Sequence, residues 1–105
     1  MRNGSWSDDE LLRTLAFYAS LSLEEKVHLP KGDVDDLVSR LPRRTKGSVL
    51  MRISNYVARD PQMSALGIKG LYGGGSHVDA IWERFSDDTG TLDIAKILRS
   101  SSQQL

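Results

Sequence analysis

The clearest alternation of apolar and polar positions in the chain lies between residues 33 and 60. Val34, Leu37, Val38 and Leu41 recur at i, i+3, i+4, i+7, the spacing of one helix face, and Asp33 is placed to cap the start. Pro42 cannot continue that helix, so Leu41-Pro42-Arg43-Arg44 reads as a turn. Thr45 can accept a hydrogen bond from the opening amides of a second helix, predicted over 46–59 and stopped by Asp60-Pro61. Its apolar face is Val49, Leu50, Ile53, Tyr56 and Val57. The opposite face then carries Gly47, Ser48, Met51, Asn55 and Ala58, with Arg52 and Arg59 on the flank. A helix-turn-helix is therefore the predicted centre of the chain.

The flanking segments read as further helices. Ser7 is the N-cap of a first helix, Glu10 completes its capping box, and Trp6 faces Leu11 as a hydrophobic staple. Leu11, Leu12, Leu15, Ala16, Tyr18 and Ala19 make that helix part of the core. Residues 21–31 read as a connector in which Leu23 to Val27 can form one more helical turn. Residues 61–76 read as a loop, with Ile68 to Tyr72 as a short extended piece. Ser76 is the predicted cap of a helix with Asp79 at its third position and Val78, Ile81, Trp82 and Phe85 buried. After a turn at 86–90, Thr91 is the predicted cap of a last helix over 91–100. Leu92, Ala95 and Leu98, widened by Ile94 and Ile97, give it an apolar surface that suits a homodimer. Residues 1–5 and 101–105 read as a mobile lead and a frayed tail. The expected fold is all-α, a single helical domain over 1–105 with about five helices.

Composition narrows the chemistry. A chain of 105 residues forms one domain that buries roughly 60 to 70% of its unfolded surface without staples. With no cysteine, disulfides and thiolate metal sites are excluded, and only His28 and His77 offer imidazoles. No carboxylate pair, nucleophile–base couple or metal cluster has a spacing that asks for catalysis, so no enzyme, cofactor or metal is expected. No apolar run approaches membrane-spanning length and no signal peptide precedes Trp6, so the expected location is cytoplasmic and nucleoid-associated, with no membrane.

The formal net charge is zero, yet after Asp36 the next acidic residue is Asp60, and between them lie Arg40, Arg43, Arg44, Lys46, Arg52 and Arg59. A cation-only window in a neutral chain points to a local patch for double-stranded DNA. Arg43, Arg44, Lys46 and Lys69 are the expected phosphate contacts. Ser48, Met51, Arg52 and Asn55 are the expected groove readers, with Thr45 at the helix start and Arg59 on the flank. The glycine run 73–75 entering a helix offers free amides to a phosphate near Ser76 and His77; it lacks the Gly-Lys-Ser/Thr ending of a nucleotide-binding loop. The alternative is a helical protein-interaction or dimerisation module whose basic face docks an acidic partner.

One family resemblance bears on this choice. Trp6-Ser7-x-x-Glu10-Leu11-Leu12-x-x-Leu15-x-x-Tyr18 is followed by Arg44-Thr45-x-x-Ser48-Val49-x-Met51-Arg52-Ile53-x-Asn55-Tyr56, then Asp60-Pro61, Gly67-Ile68-Lys69-Gly70-Leu71 and Ile81-Trp82-x-x-Phe85. In order and spacing these resemble the N-terminal region of bacterial HNH-type restriction endonucleases, including methylcytosine-specific ones. Over residues 6–85 the resemblance implies a DNA-recognition module, with cytosine-methylated DNA as the partner to test and Met51 placed to meet a methyl group. The His-Asn-His constellation of the nuclease half has no counterpart here, so the expectation is a module that binds without cutting. Lys46 and Gly47 depart from the family's helix start, which leaves base preference outside what the resemblance implies.

Overall fold

The computed structural model describes residues 5–102, and within them the fold is all-α. Seven helices occur among the described residues: α1 Asp8–Ala19, α2 Leu23–Val27, α3 Lys31–Ser39, α4 Lys46–Val57, α5 Pro61–Ala65, α6 Gly75–Arg84 and α7 Ile94–Ser102. The readings of residues 1–4 and 103–105 as lead and tail lie outside the described residues.

Three helices start on reciprocal side-chain caps. Ser7 accepts from the Glu10 amide while Glu10 accepts from the Ser7 amide, as expected for α1. Ser22 and Glu25 repeat the motif at α2, where Leu23–Val27 form the helical turn that the sequence allows within the connector. Thr45 caps α4, exchanging hydrogen bonds with Ser48. Elsewhere the boundaries differ from expectation. α3 begins at Lys31, with Pro30 rather than Asp33 in the capping position. Asp60, expected only to end α4, accepts from the Gln62 amide and starts α5 with Pro61 in its first turn, so the expected loop opens with a helix. Ser76 lies inside α6, whose cap is Gly74 at φ 85°. Asp93 rather than Thr91 accepts from the Lys96 amide at the start of α7, and α7 continues through residue 102.

α1 is the hub of the core and packs on α4, α6 and, most extensively, α7. Leu11, Leu15 and Tyr18 of α1 meet Val49, Ile53 and Tyr56 of α4, Val78, Ile81 and Trp82 of α6, and Ile97 of α7. Tyr18, Tyr56 and Trp82 form an aromatic trio with ring centroids 6.0 to 6.2 Å apart. Each polar tip has a partner: Tyr18 Oη donates to Asp60 at 2.6 Å, Tyr56 Oη to the Leu11 carbonyl at 2.9 Å, and Trp82 Nε1 to the Gly90 carbonyl at 3.1 Å. Burial pushes both tyrosine hydroxyls well above their ordinary pKa, so they remain neutral donors.

Candidate nucleic-acid interface

α3 and α4 flank the turn at 40–45, and the cation-only window maps onto that turn and α4. The window divides into side chains that face water and side chains that hold the fold together.

Arg44 is the clearest member of the second group. Its Nε and Nη2 form a fork with Glu10, at 2.9 Å to Oε2 and 2.8 Å to Oε1, and Nη2 also donates to the Ser5 carbonyl. The Arg44 side chain is only 5% exposed. The guanidinium hydrogen bonds hold the Glu10 carboxyl at a pKa of about 2, and Glu10 in turn raises that of Arg44. Arg59 donates to Asp79 of α6 at 2.6 Å and to the Asn55 carbonyl, and lies over the Tyr72 ring. Arg52 stacks over Trp6 and donates to Asn55 Oδ1 at 2.8 Å, and burial lowers its pKa.

Asn55 is placed opposite to the expectation. It is 2% exposed, and its Nδ2 donates to the Leu71 carbonyl at 2.6 Å. The segment after Ile68 lies against this side of α4, where the Leu71 amide also donates to Ser54 Oγ. Gly70 makes the approach possible. A Cβ there would lie 2.2 Å from the Ser54 carbonyl oxygen and 2.6 Å from the Ala58 nitrogen. Asn55 is thus a buried link between α4 and the glycine-rich segment, unable to reach a base edge. Leu50, expected inside, is 37% exposed.

The water-facing side of α4 therefore comprises Gly47, Leu50, Met51 and, partly, Ser54. Met51 is 48% exposed, and Leu71 at 53% stands beside Ser54. Arg43 and Lys46 are exposed at the amino end, and Lys69 is exposed beside Gly70 at the other. Lys46 forms a surface pair with Asp35 of α3 at 3.0 Å, a contact of little net value in water. Thr45 and Ser48 are committed to capping. Ser76 is exposed in the first turn of α6, and His77 contacts Asp8.

The sequence reading thus brought together Arg43, Lys46, Ser48 and Met51 on or beside the amino half of α4. Asn55, expected on the open face, is buried, and Arg44, Arg52 and Arg59 are engaged with Glu10, Asn55 and Asp79, while the exposed Leu50 and Leu71 were not among the expected groove residues. The partners Glu10 and Asp79 lie far from Arg44 and Arg59 in sequence and carry no local signal. Gly70, together with Gly73, is the readable sign that a backbone segment passes close to α4. No group of three or more His, Asp or Glu side chains suited to a metal ion occurs among the described residues. No protein-family model, curated protein or solved structure matches the chain.

Proposed function

We propose that this domain binds double-stranded DNA through the water-facing side of α4. The observation that carries the reading is the character of that side: from Gly47 to Ser54 it has no carboxylate, it is open to solvent, and cations flank it at both ends, Arg43 and Lys46 at one and Lys69 at the other. Gly47 has no side chain to hold a surface away, and a Cβ there would meet only Thr45 Oγ1, at 3.9 Å. The three cations act on phosphates, and Leu50 and Met51 offer apolar contact to the methyl group of thymine or 5-methylcytosine. Arg44, Arg52, Arg59 and Asn55 fix α4 on the core and keep this surface in place.

The test is fluorescence anisotropy with matched unmethylated and cytosine-methylated duplexes. The Arg43→Ala, Lys46→Ala double variant is expected to bind at least about tenfold more weakly than wild type, from the loss of two phosphate contacts. Met51→Ala is expected to remove any preference for the methylated duplex. Unchanged affinity in the double variant would place the DNA elsewhere or nowhere.

A second reading, a protein-docking module, is favoured by one observation: Leu50, Met51 and Leu71 expose apolar side chains within one neighbourhood. It predicts weak, sequence-blind binding to every duplex.

A further inference from the structure

A cleft of about 450 Å³ lies away from α4, among Ala19 of α1, Lys26 of α2, Asp60 to Gln62 at the start of α5, Thr91 and Leu92 ahead of α7, and Ile94 at its start. Its volume falls in the range of small-molecule sites, and its composition follows their pattern of apolar walls with a few convergent polar groups. We infer that this cleft binds a small neutral molecule with a carbonyl-type acceptor at one end and a compact apolar body at the other.

The polar end is set by Lys26 and Asp60, whose side chains are 12% and 7% exposed. Asp60 Oδ2 accepts from Tyr18 Oη at 2.6 Å and from Lys26 Nζ at 3.1 Å, and Oδ1 accepts from the Gln62 amide at 3.0 Å. The carboxylate is thus nearly saturated. The ammonium is not: among the described residues it donates to Asp60 alone, and its remaining attraction is to the Tyr18 ring, 4.7 Å from the centroid. An ammonium has three donors. The charged group left to recruit a ligand is therefore a donor, and a ligand must present it an acceptor; Gln62 and Thr91 add neutral polar side chains to the same lining. Lys26 and Asp60 already neutralise each other, so an anionic head would add an uncompensated charge beside the Asp60 carboxylate, whereas a carbonyl oxygen would not. The apolar body meets Ala19, Pro61, Leu92 and Ile94. Ile94 is 48% exposed, so part of this wall still faces water.

Benzamide and benzoate, equal in size and differing in the head group, test the inference in an amide NMR titration. Benzamide is expected to shift the backbone amides of Lys26, Gln62, Leu92 and Ile94 saturably, with a Kd on the order of 1 mM for so small a ligand. Benzoate is expected to bind at least about fivefold more weakly. Ile94→Trp, a change at a half-exposed side chain, is expected to abolish the shifts while leaving the thermal midpoint unchanged. Lys26→Met is expected to abolish them through loss of the donor. Absence of saturable benzamide shifts in wild type, shifts that survive Ile94→Trp, or tighter binding of benzoate would each overturn the assignment.

Discussion

At the residue scale, the basic side chains divide into those that face water and those that hold the fold together. Arg44 is held by a bidentate pair at a side-chain exposure of 5%, so Arg44→Ala leaves the Glu10 carboxylate without its main partner and is expected to destabilise the fold by about 3 kcal/mol in urea unfolding. Arg44→Lys is expected to recover only part of this, because an ammonium cannot reproduce the fork. The pH dependence follows from the same pair. Glu10 titrates near 4.5 when unfolded and near 2 when folded, so its folded pKa is depressed. Its contribution is complete above about pH 4.5 and is lost as pH falls toward 2. Stability measured across that window should fall more steeply for wild type than for Glu10→Gln. Asn55→Ala strips partners from the Leu71 carbonyl and Arg52, for an expected cost of about 2 kcal/mol. Its effect on a DNA complex should vanish once the fraction folded is taken into account.

At the element scale, two attachments organise the molecule. The segment ending in α6 is fastened to α4 where Gly70 passes over Ser54 and Ala58. Gly70→Ala puts a methyl group into backbone atoms that cannot yield, so hydrogen exchange in 68–74 should rise far more than in α1. α7, expected to carry a broad apolar surface that suits a homodimer, gives Ile97 to the core at 0% exposure. Ile97→Ala is expected to cost about 3 kcal/mol in thermal or urea unfolding. These cases show what the sequence contains. Caps made within three residues, at Ser7 and Thr45, and the apolar faces of α1 and α6 were legible because they are local. The inward placement of Asn55 was not, because periodicity shows which positions share a face and not which neighbouring segment covers it. Two capping signals were available and unread: Ser22 with Glu25 at α2, and Asp60-Pro61, which starts a helix as well as ending one.

At the scale of the whole molecule, the balance of fourteen basic and fourteen acidic residues leaves no general attraction to nucleic acid, so any complex depends on local contacts. α7 leaves Ile94 and Leu98 each 48% exposed, and sedimentation at micromolar concentration distinguishes a homodimer through this helix from a monomer. A monomer implies a short asymmetric DNA site. The most direct test of the α4 interface is the salt dependence of duplex binding. With Arg43, Lys46 and Lys69 as the phosphate contacts, the log–log slope should be about −2.7, reduced to about −0.9 in the Arg43→Ala, Lys46→Ala variant. A slope near zero, or one unchanged by those substitutions, would contradict the account and turn attention to Leu50, Met51 and Leu71 as a protein-docking surface.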